Sequence, residues 1–382
     1  MRIESAELFA LNIPFVMPLS HATHKNRAAC DSVVLQLGAD GLLGHGEIVV
    51  RDYVSGALGG GVDLLSRVAG AARRLLEPLD GRDVDHSSFD AVAAFVDPDP
   101  ADLPVICALE TALLDLACRS SGRDAYELLG LEPLRPRVAF SGVIPLFPPE
   151  IAARTLAEFA RLGTRSFKIK LGPDPATNRA ILAACRAVVG PGGDLRVDAN
   201  SGWRIEDADA HFDACRASGV TAVEQPFLVA APGADDALRR GVARGFLFIA
   251  DEGFISERDL DHISRAGTCR MLNFRLAKNG GLARVLRLAR TAGQRGIGYQ
   301  LGCMAGESGI LSAFGRLAAS LLPMPRWVEG GYDRILYAEH LADRDFSFGP
   351  DGTAPVIRGA GIGYTVREDR LAALSVGRER IR

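Results

Sequence analysis

Three acidic residues recur along the chain at nearly equal spacing. Asp198, Glu224 and Asp251 are 26 and 27 residues apart, and each lies in or after a short apolar run. Carboxylates that converge in a partly buried site repel one another, so they need either protons or a cation. Oxygen ligands suit magnesium, which leaves positions for water or substrate. The pattern therefore predicts a Mg²⁺ site, although any one of these acids could instead cap a helix.

Two lysines precede this triplet by a similar interval. Lys168 and Lys170 are two residues apart in an apolar stretch, so in a strand both point to the same side. An inward-pointing lysine beside a metal has a lowered pKa and can act as a base. Such a base, with a cation to hold the developing enediolate, could remove the proton next to a carboxylate. Taken alone, the two lysines would be a solvated strand end.

The elements that must position these groups form a regular series. From about residue 137, short apolar strands alternate with amphipathic helices, most of which end in Gly. The predicted strands are VAFSGVI, SFKIKL, LRVDAN, AVEQPF, LFIADE, MLNFRL, GYQLGC and RWVEGG. Eight strand–helix units predict an α/β fold, a (β/α) TIM-type barrel, whose strand ends converge on the active-site face.

The flanking segments have an α+β pattern. Residues 2–15 are strand-like, and 32–50 predict a hairpin around the turn Ala39-Asp40-Gly41. Helical patterns follow at 62–78, 86–96 and about 104–129. The predicted domains are an α+β domain over 1–136, the barrel over 137–340, and a C-terminal segment over 341–382 that packs back onto the first domain.

The composition restricts the class of protein. With 382 residues, 48% hydrophobic and 24% charged, the chain fits one barrel and a smaller domain. A formal net charge of −3 gives no reason to expect nucleic acid or an anionic membrane as partner. The N-terminal stretch lacks the features of a signal peptide, and no apolar run approaches a membrane span. The seven cysteines form no C-x-x-C pair, which favours reduced thiols in a cytoplasmic protein.

Several motifs in this order resemble the enolase superfamily, and within it the muconate-lactonizing subgroup of mandelate racemase and muconate-lactonizing enzymes. The matching motifs are K-I-K at 168–170, VDAN at 197–200, VEQP at 223–226, ADE at 250–252, GHGE at 44–47 and ALETALLDLA at 108–117. Each motif alone is weak, but the ordered set is specific and spans most of the chain. The resemblance implies a modified, enolase-like barrel with an α+β capping domain, a small-molecule carboxylate substrate and a symmetric homo-oligomer.

The resemblance also assigns roles to residues of the barrel. Lys170 is the favoured base and Lys168 the group that lowers its pKa and contacts the substrate carboxylate, although the two roles could be exchanged. Asp198, Glu224 and Asp251 hold Mg²⁺ in this scheme. Asn200 and Glu252 are expected just outside these ligands.

The sixth strand departs from the subgroup. Its usual pattern, N-x-K-x-x-K-x-G-G, here starts at Asn273 and has Arg275 in place of the first lysine. Lys278 matches the second lysine. Arginine stays protonated, so Arg275 is a poor base but a good partner for an anion. A racemase generally needs a base on each face of the substrate, so this substitution favours chemistry on one face, unless a shift of one helical turn brings Lys278 inside.

Further candidates for substrate binding come from loops and late strand ends. By analogy with the family, residues of the two N-terminal loops could shape substrate choice, namely His21, His24, Arg51 and Tyr53. The seventh and eighth strand ends add Cys303, Glu307 and Asp333. Each of these has an ordinary structural alternative: a surface residue, a buried filler for Cys303, a helix cap for Glu307 and a surface turn for Asp333.

Three functions are compatible with these features. The first, which Arg275 favours, is a cycloisomerase or a syn-eliminating lyase. The second is a racemase or epimerase of an amino-acid derivative or dipeptide, which requires a working residue on the sixth strand. The third is a non-catalytic relative that binds a carboxylate, which the retained triplet and lysines disfavour. A barrel fold alone does not decide among them.

Overall fold

The structure, a computed structural model, describes residues 2–19, 27–51, 64–79 and 98–382, and for 17–19 and 27 only the backbone. Its strands are β1 (Ser5–Leu11), β2 (Ile13–Leu19), β3 (Arg27–Cys30), β4 (Val33–Ala39), β5 (Leu42–Ile48), β6 (Arg137–Ala139), β7 (Gly142–Ile144), β8 (Ser166–Lys170), β9 (Asp194–Asp198), β10 (Ala222–Glu224), β11 (Leu247–Ala250), β12 (Cys269–Phe274), β13 (Gly298–Leu301), β14 (Thr353–Pro355) and β15 (Ser375–Arg380).

The described α-helices connect and cover these strands. They are α1 (Leu64–Leu76), α2 (Leu103–Ser121), α3 (Ala125–Leu129), α4 (Pro149–Arg161), α5 (Pro175–Val189), α6 (Ala208–Ala217), α7 (Ala234–Ala243), α8 (Glu257–Ala266), α9 (Leu276–Asn279), α10 (Leu282–Gln294), α11 (Gly309–Leu321), α12 (Asp333–Leu336) and α13 (Glu368–Leu374). Among the described residues, no helix is long and apolar enough to cross a membrane.

The N-terminal sheet has the strand order β15-β1-β4-β5. The predicted hairpin is present as β4 and β5, and the turn residues Asp40 and Gly41 have φ of 49° and 75°. Two positive φ angles suit a two-residue hairpin turn, and the Asp-Gly sequence tolerates them. β15 pairs antiparallel with β1, so the C-terminus returns to this sheet. The division of the chain into three domains stays a prediction.

Of the helices next to this sheet, α1 buries one face, whereas α2 is buried on all sides from Leu103 to Cys118. The long helical pattern predicted over about 104–129 is two helices, α2 and α3. Gly122, with a φ of 67°, ends α2, and Asp124 begins α3 through a capping box with Glu127. The helix predicted over 86–96 lies outside the described residues.

The second sheet is the curved parallel sheet of the barrel. Its strand order runs from β13 back to β7 without interruption, and each pair of neighbours is parallel. The strands are short and most of their residues are buried, as expected for a sheet covered by helices, although β8 and β9 carry the buried cations Lys168 and Arg196 at their centres. The predicted α/β barrel with an accompanying α+β unit is confirmed.

The first and eighth predicted strands differ from the sequence pattern. VAFSGVI is split: β6 pairs with β14, and only β7 joins the barrel sheet. RWVEGG forms no full strand, because it pairs with β13 only through the bridge between Leu301 and Val328. Val328 O also accepts a hydrogen bond from Ser141 N at 2.8 Å. This irregular segment therefore closes the ring between β13 and β7.

Candidate active site

The carboxylate triplet, Asp198, Glu224 and Asp251, gathers at the carboxyl end of the barrel sheet. Asp198 ends β9 and Glu224 ends β10, and the two are paired in register. Asp251 directly follows β11. All three residues are 0% exposed. The ends of neighbouring parallel strands share one edge, so regular spacing in the sequence becomes proximity in the fold.

Glu224 is held by two neighbouring amides. Its Oε1 accepts a hydrogen bond from Asn273 Nδ2 at 2.8 Å, and its Oε2 accepts one from Gln300 Nε2 at 2.7 Å. Burial raises the pKa of Glu224 to about 8; Lys168 opposes this shift, and the charge of Asp198 adds to it. The three carboxylates therefore cannot all be ionised near neutral pH without a further cation.

Asp251 has a cationic partner on each oxygen. Lys278 Nζ donates to Oδ1 at 2.9 Å, and Arg275 Nη2 donates to Oδ2. Burial alone would raise the pKa of Asp251, but Arg275 and Lys278 outweigh it and hold the pKa below its usual value. Lys278 also donates to Asn273 O at 2.6 Å and is 1% exposed. Arg275, and not Lys278, lines the cavity above the sheet.

The two lysines of β8 have different surroundings. Lys168 is 1% exposed, and its Nζ lies 2.8 Å from Glu329 Oε2 and 3.3 Å from both oxygens of Glu224. Burial lowers the pKa of Lys168, but these carboxylates outweigh it and raise the pKa above its usual range. This direction is opposite to the lowered pKa expected from the sequence, because the nearest charges are anionic. A divalent cation on the triplet would offset that field.

Lys170 is the more accessible lysine. Its Nζ lies 2.6 Å from Asn200 Oδ1 and 3.3 Å from Asp198 Oδ2, and its side chain is 17% exposed. It lines the cavity together with Lys168. Its ammonium can therefore reach a bound molecule without leaving the strand end.

Asn200 and Glu252 lie beside the triplet, as the sequence suggested. Asn200 Nδ2 donates to Asp198 Oδ2 at 3.1 Å and to Glu252 Oε1 at 3.2 Å. Glu252 Oε2 is buried and has no hydrogen-bond partner among the described residues. A buried, unpartnered carboxylate oxygen next to three further carboxylates is a donor set suited to Mg²⁺. The donor chemistry therefore fits this ion.

The carboxylates already have cationic partners. Within the described ranges, no group of three or more His, Cys, Asp or Glu side chains is already in position to hold a metal ion. Arg275 and Lys278 contact Asp251, and Lys168 contacts Glu224. A metal ion would have to displace at least one of these contacts to draw the carboxylates together.

A cavity of about 130 Å³ opens above the strand ends. One side is cationic, formed by Lys168, Lys170 and Arg275. The rest of the lining is largely apolar and aromatic, with the acids Glu307, Glu329 and Asp333; its apolar and aromatic members include Val143, Pro145, Phe159, Met304, Tyr332, Ile335, Leu336 and Tyr337. A positive side and an apolar wall suit a carboxylate that carries an apolar substituent.

The late strand ends contribute the three predicted residues Cys303, Glu307 and Asp333, which all line this cavity. Burial raises the pKa of Glu307 to about 8, and Met304 N donates to its Oε2 at 2.9 Å. Asp333 is 3% exposed rather than part of a surface turn, and burial raises its pKa to about 7. Burial raises the pKa of Cys303 well above its usual value, so the thiol stays protonated.

Of the four N-terminal loop candidates, Arg51 is described, whereas His21, His24 and Tyr53 lie outside the described residues. Arg51 is 3% exposed, and its Nε donates to Ala305 O at 3.1 Å. Arg51 does not belong to the cavity lining. The structure places it against the segment that carries Glu307.

The sequence analysis did not predict Glu329, which lies in the irregular segment at the place of the eighth strand. Glu329 is buried and bonds both to Lys168 and to Arg196, whose Nη2 lies 2.8 Å from Glu329 Oε1. Arg196 is 0% exposed and stacks over the ring of Trp327 at 4.7 Å. The available signal was a charged residue inside each of two apolar strand patterns, LRVDAN and RWVEGG.

Comparison with known proteins agrees with this arrangement. The sequence profile of the family described as Enolase C-terminal domain-like matches residues 150–370. An aromatic dipeptide epimerase from Herpetosiphon aurantiacus is 31% identical over 87% of this chain and 88% of its own length.

Two solved structures share the fold over the whole chain. The N-succinyl Arg/Lys racemase from Bacillus cereus has a TM-score of 0.84 at 22% identity, and 100% of both chains is covered. A dipeptide epimerase from Cytophaga hutchinsonii, solved with Mg and the dipeptide D-Ala-L-Val, has a TM-score of 0.83 at 20% identity, also with 100% of both chains covered. At these identities the two structures establish the fold alone.

Proposed function

Because this chain belongs to the enolase superfamily, we propose that it is a Mg²⁺-dependent isomerase that inverts the carbon next to a carboxylate in an amino-acid derivative. The sequence relatives, among them the aromatic dipeptide epimerase named above, are epimerases and racemases, so they support this function over the cycloisomerase or lyase that the sixth strand suggested. They do not confirm the cycloisomerase or lyase. An isomerase is the activity class that these relatives share.

The observation that carries the proposal is the position of Lys170. Its ammonium lies at a strand end, 3.3 Å from Asp198 Oδ2, and faces the cavity. In this proposal Lys170 removes the substrate proton, and Lys168, fixed by Glu329, presents a positive charge to the substrate carboxylate. Proton removal next to a carboxylate is difficult because charge builds up on the carboxylate oxygens, so cationic neighbours lower the barrier.

The proposed metal ligands are Asp198, Glu224 and Asp251. Asn200 would orient Asp198, to which its side chain and its backbone N–H both donate, at 3.1 and 2.9 Å. When bound, Mg²⁺ supplies a Lewis acid that offsets the negative charge on the substrate carboxylate. The relatives solved with Mg and dipeptides support this choice of ion.

Inversion needs a proton carrier on the other face of the substrate. Arg275 stays protonated and is a poor carrier. We assign this role to Glu307, which lines the same cavity and whose pKa burial raises to about 8, so that it holds a proton near neutral pH. Arg275 would then steady negative charge and transfer no proton.

The substrate class follows from the relatives and the cavity together. Dipeptides and N-acylated amino acids combine a carboxylate with an amide and a side chain, which suits one cationic side and one apolar wall. A cavity of about 130 Å³ favours compact side chains.

A second candidate is supported by Arg275 itself. If Glu307 carries no proton, acid and base chemistry is confined to the face of Lys170, as in a syn elimination or a cycloisomerisation. The non-catalytic alternative would bind a carboxylate and Mg²⁺ without exchange of the substrate proton.

Proton NMR in D₂O with Mg²⁺ tests these functions. The panel would contain dipeptides, N-acyl amino acids, muconates and sugar acids. We expect the wild type to incorporate deuterium at the α-carbon of a dipeptide or N-acyl amino acid with inversion. We expect Lys170→Met and Lys170→Arg to lose at least about 10³-fold in rate, because arginine keeps the charge but cannot act as the base. We expect Glu307→Gln to exchange deuterium with retention only.

The outcomes separate the candidates. Equal rates for Lys170→Arg and wild type would show that Lys170 acts only by charge. Loss of water or ring closure in the product would establish the one-face candidate. Inversion by Glu307→Gln at the wild-type rate would remove Glu307 from the mechanism. Binding of a carboxylate with no exchange by any variant would favour the non-catalytic alternative.

A further inference from the structure

We propose that Arg275 is a built-in counter-cation of the metal site, which competes with a divalent ion for Asp251 and Glu224 and so sets the affinity for that ion. This inference rests on the proposed Mg²⁺ site. It concerns the residue in which the chain departs from its family pattern.

The guanidinium of Arg275 lies between two of the proposed ligands. Its Nη2 hydrogen-bonds to Asp251 Oδ2 and lies 3.7 Å from Glu224 Oε1. The residue is 4% exposed, so this charge interaction is shielded from water. A cation in this position does part of the electrostatic work that a metal ion would do, because it offsets the repulsion between the two carboxylates.

Lys278, the other cation that contacts Asp251, is held more firmly than Arg275. Lys278 Nζ is enclosed by three acceptors, namely both Asp251 O and Oδ1 at 2.9 Å and Asn273 O at 2.6 Å. Lys278 thus contacts Oδ1, whereas Oδ2 is contacted by Arg275, the cation that also approaches Glu224. A divalent ion that is held by Asp251 and Glu224 would therefore compete with Arg275 for both carboxylates.

Arg275 borders the cavity, which is the direction in which its side chain would withdraw. Its backbone N donates to Asn279 Oδ1 at 2.9 Å, so the main chain is fixed while the long side chain can change rotamer. The side chain also borders the cavity, and its Nη1 has a soft contact with Met304 Sδ at 4.0 Å. Repulsion by a divalent ion would move the guanidinium toward the cavity, where a substrate carboxylate would attract it.

Metal binding and carboxylate binding should therefore reinforce each other. Each favours the withdrawn position of Arg275, and coupling between two ligands is reciprocal. A lysine at this position would reach one bond less far and would present a single ammonium group in place of the planar guanidinium, so it would compete less well.

Isothermal titration with Mg²⁺, and with Mn²⁺ followed by electron paramagnetic resonance, tests the inference. We expect Arg275→Gln to bind either ion at least about tenfold more tightly than the wild type, because a competing charge is removed. The control is Arg378→Gln, which removes the same charge from an exposed pair with Glu7 on the N-terminal sheet. It should bind the ions like the wild type.

Thermal unfolding gives a second readout that does not depend on activity. In EDTA, Arg275→Gln should unfold at a lower temperature than the wild type, because Asp251 and Glu224 lose a counter-cation. Saturating Mg²⁺ should close that gap. If Arg275→Gln does not fold, the wild type labelled with ¹⁵N-arginine replaces it, and the side-chain signal of Arg275 should shift in step with Mg²⁺ binding.

The failure of this inference can be told apart from the failure of the proposed function. Equal ion affinity for Arg275→Gln, Arg378→Gln and wild type, or an Arg275 signal that ignores Mg²⁺, would overturn the role of Arg275 and leave the metal site intact. If none of the proteins binds Mg²⁺, both the metal site and the role of Arg275 are overturned.

Discussion

The protonation state of each charged residue at this site depends on the residues that it contacts. Asp251 and Glu224 are equally buried, yet the pKa of Asp251 is lowered and that of Glu224 is raised to about 8. Burial acts on both in the same direction. The difference comes from Arg275 and Lys278, which contact Asp251 directly. Removing Arg275 or Lys278 should therefore lower the free energy of unfolding by more than removing one partner of a surface ion pair would.

Lys278→Met tests this at the level of one side chain. Loss of a buried ammonium with three acceptors leaves Asp251 poorly compensated, and we expect the free energy of unfolding to fall by about 3–5 kcal/mol. Urea unfolding in EDTA measures it, because a metal ion could otherwise compensate Asp251. The control, Arg378→Gln, removes an exposed cation that pairs with Glu7 and should cost about 1 kcal/mol or less. Equal losses for the two variants would contradict the buried-partner argument.

At the scale of elements, the N-terminal sheet is joined to the barrel through helix N-termini. Glu47 of β5 is 0% exposed and accepts hydrogen bonds from Ser308 N at 2.8 Å and Leu311 N at 3.1 Å, at the start of α11. Glu110 of α2 contacts the start of α10 in the same way, with Ala283 N at 2.9 Å. A carboxylate suits a helix N-terminus because the free backbone N–H groups and the helix dipole both favour negative charge.

Glu47→Gln should weaken this junction. The amide can accept on one oxygen only, so buried donors of Ser308, Leu311 or Ser32 lose a partner. We expect a loss of about 1–3 kcal/mol in the free energy of unfolding, together with reduced turnover, since Ser308 directly follows Glu307. Chemical denaturation and the D₂O assay measure the two effects.

The matched control for that junction is Glu7→Gln. It removes a surface pair with Arg378 and should stay within about 0.5 kcal/mol of the wild type. A Glu47→Gln protein as stable and as active as Glu7→Gln would show that the junction does not position the segment of Glu307.

On the scale of the whole molecule, the two ends of the chain meet on the N-terminal sheet. His45 of β5 lies 3.0 Å from Glu368 Oε1 at the start of α13 and 3.9 Å from Asp115 Oδ2 of α2. Burial lowers the pKa of His45, but the neighbouring carboxylates of Asp115 and Glu368 outweigh it and raise the pKa above 6.5. Asp115 is shared with Arg119, and Gln36 also contacts the ring at 3.0 Å.

This network predicts a pH dependence of stability. A histidine whose pKa is raised by folding stabilises the native state fully below its unfolded pKa of about 6.5, and the effect disappears as pH rises through the folded-state pKa. The melting temperature of the wild type should therefore exceed that of His45→Gln most at about pH 6, and the gap should shrink as the pH rises. When both proteins also carry Glu368→Gln, the difference between their melting temperatures at low pH should be smaller. A gap that is constant with pH would contradict the charged histidine.

The sequence by itself determined the strand–helix series apart from the first and eighth predicted strands, the hairpin around Asp40-Gly41, and the edge of the sheet at which the three carboxylates meet. It could do so because side-chain alternation, turn residues and spacing are local properties. One polar group per strand–helix unit is enough to place Asp198, Glu224 and Asp251 together, because parallel strands end at a common edge. The family followed from the same ordered motifs.

Only the tertiary structure decided which groups are partners across the barrel. It placed Arg275 toward the cavity and enclosed Lys278, put Glu329 beside Lys168, and set Arg51 behind the segment of Glu307. These contacts join residues far apart in sequence, and they follow from how the ring of strands closes. The direction of each pKa shift depends on them as well, because burial and neighbouring charge are properties of the folded chain.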